Sequence, residues 1–127
     1  MSGKSSVIEM RTLVKLARFL FILVLGVALY AGMKTKPVPQ VVPNFDLMLH
    51  FGVFGTLAFL WLLGVSRFWR PLGLLGLLLL GAVIELWQGW VMPARTASLT
   101  DMAANGSGVL LGAFAFYCLA WFFSRQK

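Results

Sequence analysis

Residues 71–91, PLGLLGLLLLGAVIELWQGWV, form an unbroken apolar stretch of 21 residues with one ionisable side chain, Glu85. A helix rises about 1.5 Å per residue, so this stretch reaches about 30 Å, the thickness of a bilayer's hydrocarbon core. It predicts a membrane-spanning helix, and it sets the terms for the rest of the chain.

Three further stretches read the same way. The spacing predicts spans at about 13–33, 45–65, 71–91 and 101–123, and hence an all-α integral membrane four-helix bundle, one domain over 1–127. A polar lead, Met1 to Met10, precedes the first span, with Lys15 and Arg18 placed to snorkel from its first turns. That segment has the basic start and apolar centre of a signal peptide. It ends without a small-x-small cleavage pair, so it is expected to be retained. Lys34 to Asn44 forms a loop with Pro37, Pro39 and Pro43; Ser66 to Arg70 is a short basic turn; Met92 to Thr100 is the last loop.

Composition agrees. Of 127 residues, 60% are hydrophobic and 12% charged, against about 45–50% and about 25% in ordinary soluble domains. The net charge of +7 is not a nucleic-acid signature, because the basic residues flank apolar runs instead of lining one soluble face. Eight of the eleven lie in the N-terminal flank (Lys4, Arg11, Lys15, Arg18), the middle turn (Arg67, Arg70) and the tail (Arg125, Lys127); only Lys34, Lys36 and Arg95 lie in the other two loops. Positive charge accumulates on the cytoplasmic side, so both termini are expected there. The single cysteine, Cys118, excludes an intramolecular disulfide and multi-cysteine metal motifs.

Three of the four acidic residues and the only histidine lie in or at the ends of these spans. Ionisable groups in hydrocarbon cost about 2.5–3.5 kcal/mol by insertion scales and are usually paired. In the expected topology the start of the second span, the end of the third and the start of the fourth share the outer face. Asp46 and His50, Glu85 and Gln88, and Asp101 and Asn105 then form three pairs at i,i+3 or i,i+4 within about two turns of that face. Arg95 lies in the loop above. A compact cluster is expected, with Glu85 meeting His50 or Arg95, Asp46 meeting Arg95, and Gln88 and Asn105 satisfying what remains.

Each residue also has a plainer explanation. Asp46 and Asp101 complement helix N-termini, and Gln88 and Asn105 can hydrogen-bond between helices. Glu85 resists it best, because a carboxyl at that depth must be protonated or paired. As a functional set, His50 and Glu85 are the candidates for proton exchange; Asp46, Gln88, Arg95, Asp101 and Asn105 are the candidates for holding a substrate, with Arg95 suited to a phosphate or carboxylate. One histidine among carboxylates is a weak zinc signature, so no metal and no cofactor are assigned, and a divalent ion among Asp46, His50, Glu85 and Asp101 stays open. Ala104, Gly108 and Gly112 repeat at four-residue spacing, a stripe that suits close helix packing.

Taken together, Asp46-Leu47-Met48-Leu49-His50 with Phe54, Ile84-Glu85-Leu86-Trp87-Gln88, Pro93-Ala94-Arg95, and Asp101-Met102-Ala103-Ala104-Asn105 with Gly108 and Gly112 resemble the VanZ-like family. These are small bacterial membrane proteins named from a teicoplanin-resistance determinant. The matching pieces cover about half the chain, in the family's order. Leu47 and Ala94 depart from it, standing where the family often has lysine and glycine.

The resemblance implies a bacterial cytoplasmic (inner) membrane protein acting in the cell envelope. The expected partners are the lipid bilayer and a lipid-linked envelope intermediate or a glycopeptide. Binding or remodelling of such a component, acid–base catalysis on a lipid headgroup, and a structural role in an envelope complex all remain open. A proton-coupled transporter would require a homo-oligomer, since four spans hold no internal repeat.

Overall fold

The computed structural model describes residues 2–34, 36, 39–93 and 96–126. Four α-helices are joined by short connections: α1 (Ser2–Met33), α2 (Phe45–Gly64), α3 (Arg70–Val91) and α4 (Leu99–Ser124), with a single 3-10 turn at Arg67–Trp69 before α3. All four are long and apolar enough to cross a membrane, which makes this a multi-pass membrane protein, and there are no strands among the described residues.

The helix ends differ from the sequence expectation in two places. The polar lead is not separate: α1 runs from Ser2 for 32 residues, about 48 Å, and so outreaches the hydrocarbon core by several turns. Nothing between Lys4 and Leu13 breaks a helix, and Lys4, Glu9, Met10 and Arg11 all favour one. The fourth helix starts at Leu99, two residues early, because Ser98 is its N-cap: Asp101 N–H donates to Ser98 Oγ at 3.1 Å. Elsewhere local chemistry sets the ends as expected. Asn44 precedes α2 in the left-handed region (φ 58°), which asparagine tolerates better than most residues. Pro71 sits in the first turn of α3, where its missing N–H removes no helical hydrogen bond.

Helix α2 is the centre of the bundle, packing against α1, α3 and α4, with α4 its most intimate neighbour. The small-residue stripe is the reason. A side chain on Gly108 would meet the carbonyl oxygen of Phe51, and one on Gly112 would meet that of Gly55. A Cβ on Gly55 would in turn lie 3.2 Å from Gly108 O, so the two backbones touch with no side chain between them. Around this crossing Phe54, Leu57, Ala58, Leu77, Ile84 and Val109 form the buried core. Large apolar side chains such as Ile22, Leu79, Leu110 and Phe114 are exposed on the outside, as in a protein whose solvent is lipid.

The end of the bundle that holds the start of α3 is closed by arginines. Arg18 Nε donates to Gly64 O at 2.7 Å and Arg70 Nε donates to Leu62 O at 3.2 Å, satisfying carbonyls that the end of α2 leaves without helical partners. Trp61 Nε1 returns a bond to Arg70 O at 3.3 Å, and the Arg70 guanidinium lies 4.8 Å from the centre of the Phe116 ring. Arg18 therefore does not simply snorkel. It ties α1 to α2.

Candidate functional site

At the opposite end lie the end of α1, the start of α2, the end of α3 and the start of α4. Antiparallel order brings there the six described polar residues singled out in the sequence. Arg95 lies outside the described residues.

Four of the six form one cluster. His50 of α2 stands between α3 and α4: its Nδ1 is 2.9 Å from Asn105 Oδ1, and its Nε2 is 3.6 Å from Glu85 Oε1. One ligating atom from each of His50, Glu85 and Asp101 lies within 4.8 Å of the others. Glu85 and Asn105 are only 1% and 2% exposed, whereas the His50 side chain keeps 15% of its surface. Burial thus holds two members rigidly and leaves the imidazole accessible.

An amide oxygen only accepts, so with Oδ1 of Asn105 toward the ring this contact is a hydrogen bond in the tautomer that carries its proton on Nδ1. In a neutral ring Nε2 then presents a lone pair toward the carboxyl of Glu85. At 3.6 Å the two atoms are in ion-pair range but longer than a hydrogen bond, and proton exchange between them requires an approach of about half an ångström.

Asn105 makes this contact at a cost. Its Nδ2 is buried without a hydrogen-bond partner among the described residues. The amide packs against the bare backbone of Gly81, where an added Cβ would lie 3.0 Å from Asn105 Cβ and 3.1 Å from Nδ2.

Gln88 is engaged differently from the expectation, and Asp46 has a partner the sequence did not suggest, while its expected contact with Arg95 lies outside the described residues. Gln88 does not complete the shell of Glu85; its Nε2 donates to Gly32 O at 2.8 Å and caps the end of α1. Asp46 is engaged by the side chain of Gln40, which also accepts from Phe45 N–H at 3.1 Å. Gly32, Gln40 and Gly81 were not legible as site residues. Glycines within apolar helices and a glutamine in a proline-rich loop carry no local signal of this kind.

Beside the cluster is a cavity of about 370 Å³ between α1, α2 and α3. Leu23, Val27, Val53, Phe54 and Ile84 make its walls apolar, while Asp46, His50 and Gln88 place polar groups at one end. This is the size and character of a small-molecule site, an apolar chamber with a few convergent polar groups.

Comparison of the chain with protein-family models, with curated proteins and with solved structures finds no match.

Proposed function

We propose that this chain is a VanZ-like protein of the bacterial cytoplasmic membrane, with both termini in the cytoplasm, that binds or remodels a lipid-borne component of the cell envelope. The observation that carries the reading is the union of cavity and cluster. An apolar chamber lined by three helices ends at His50, whose other side faces Glu85 and Asn105. An amphiphile fits this division, with its chain among the aliphatic walls and its polar head against Asp46, His50 and Gln88.

The orientation that puts this end outward is supported by the distribution of lysine and arginine. It would place the site at the level of the outer headgroups, where lipid-linked wall intermediates and glycopeptides are met. Reduced susceptibility to teicoplanin is the phenotype such an activity would give.

A second reading is favoured by the His50–Glu85 approach of 3.6 Å: acid–base chemistry on a bound headgroup, with His50 and Glu85 exchanging the proton. In both readings Arg95 is assigned to an anionic group of the ligand.

The test compares wild type with Glu85→Gln for teicoplanin susceptibility in a host lacking the protein, with membrane abundance measured in the same cells. Loss of protection at equal abundance supports a role for the carboxyl in the mechanism. Protection retained by Glu85→Gln restricts Glu85 to packing, and no protection by wild type sinks the resistance reading.

A further inference from the structure

We propose that His50, Glu85 and Asp101 bind one divalent transition-metal ion, Zn²⁺ or Mn²⁺. The sequence assigns no metal, because one histidine among carboxylates is a weak signature and the expected cluster fixes no ligand distances. The structure supplies them: one ligating atom of each lies within 4.8 Å of the others.

The distances suit an ion. Two ligands each about 2.1 Å from a tetrahedral metal lie about 3.4 Å apart. His50 Nε2 and Glu85 Oε1 are 3.6 Å apart, so this edge of the polyhedron needs almost no adjustment. Asp101 is less buried than Glu85 and stands in the first turn of α4, where a change of rotamer can close the remaining edges.

The second observation comes from outside the ligand set. A metal-bound histidine characteristically donates its other ring N–H to a fixed acceptor, which sets the tautomer and aims the free lone pair at the ion. Asn105 does this for His50 at 2.9 Å. It is 98% buried, and it directs its oxygen to His50 although its own Nδ2 then has no partner among the described residues. The result is an imidazole lone pair and two carboxyl groups converging on one volume. A cation is what that convergence accommodates.

Ligand chemistry narrows the choice. Mg²⁺ and Ca²⁺ favour all-oxygen shells, and Cu⁺ favours sulfur, whereas an imidazole with two carboxylates suits Zn²⁺ or Mn²⁺. Three protein ligands leave at least one coordination position open, and His50 also lines the 370 Å³ cavity. The ion would therefore stand where it can receive an oxygen of whatever occupies the chamber. This deepens the proposed function by naming an ion as part of that site, but the binding itself does not depend on the identity of the envelope component.

His50 is the chain's only histidine, which allows a direct test. The tag-free full chain, labelled with ¹⁵N-histidine and held in detergent micelles or nanodiscs after chelator treatment, is titrated with Zn²⁺ alone and the ring nitrogens are followed by NMR. The expected result is a shift of Nε2 that saturates at one equivalent while Nδ1 keeps its proton. Mn²⁺ titration should broaden the same resonance.

Glu85→Gln and Asp101→Asn should each weaken binding by at least tenfold, and Asn105→Ala by about 10–100-fold through loss of the outer partner. A wild-type ring that Zn²⁺ leaves unchanged overturns the proposal whether or not any variant folds. So does binding that Glu85→Gln and Asp101→Asn leave intact in folded protein, and so does displacement by equimolar Mg²⁺. Metal bound without any teicoplanin phenotype would overturn the resistance reading alone. Resistance that requires Glu85 with no metal bound would overturn only the metal.

Discussion

Asn105 holds His50 from the neighbouring helix: Oδ1 of a side chain on α4 lies 2.9 Å from Nδ1 of a ring on α2, across 55 residues of sequence. The contact exists because α2 and α4 pack backbone to backbone, and it decides which ring nitrogen faces Glu85.

Asn105→Ala should remove that hydrogen bond, free the ring and leave a small void beside Gly81. Loss of a buried partner costs about 1–3 kcal/mol, so thermal unfolding in detergent should show a lower midpoint with helical content retained. An unchanged midpoint would mean that the buried amide contributes nothing to holding α2 against α4.

Gly108 and Gly112 should be intolerant of a methyl group. Each added Cβ would strike a carbonyl oxygen of α2, and such overpacking typically costs about 1–3 kcal/mol. Gly106→Ala is the control. It lies in the same helix with only Leu78 Cδ2 nearby, at 3.8 Å, and should be neutral or stabilising by up to about 1 kcal/mol. Equal behaviour of Gly106→Ala and Gly112→Ala would contradict the crossing described.

Arg18→Ala should loosen the far end without touching the cluster. It removes the 2.7 Å bond to Gly64 O, and a loss of about 1 kcal/mol is expected, with faster hydrogen exchange at the end of α2 and unchanged behaviour of the His50 ring. Arg18→Lys keeps the charge and loses the planar fork, so it should rescue only in part.

Ala28→Trp probes the chamber. Ala28 lines it from α1 and makes no contact within the cluster, so a large side chain there should fill the space; the NMR signal of the His50 ring reports whether the His50–Glu85 and His50–Asn105 contacts persist. Teicoplanin protection should fall to that of cells lacking the protein, at equal membrane abundance. Protection at the wild-type level would show that the chamber is not where the ligand sits.

The four spans and the end of the bundle at which the polar residues gather were legible in the sequence, because both are one-dimensional properties. Apolar run length sets where a helix crosses, and short connections force antiparallel order. That placed Asp46, His50, Glu85, Gln88, Asp101 and Asn105 together before any contact was known. Helix ends were legible where a local rule applied, as at Pro71; at Ser98 the rule was present in the side chain three residues before Asp101 and was outweighed by the polarity of the loop.

Partner choice belonged to the tertiary structure alone. Which residue a polar side chain meets depends on the rotation of each helix about its axis and on how closely two backbones approach, and both are set by packing between distant segments. Hence Gln88 caps Gly32 instead of completing the shell of Glu85, Asp46 is engaged by Gln40, and Arg18 secures the end of α2. For the same reason a histidine and two carboxyls expected at one end of the bundle are brought within 4.8 Å of one another only by the packing. The sequence by itself determined that this protein lies in a membrane with Asp46, His50, Glu85 and Asp101 gathered at one end; only the packing and rotation of the helices decided which of them meet.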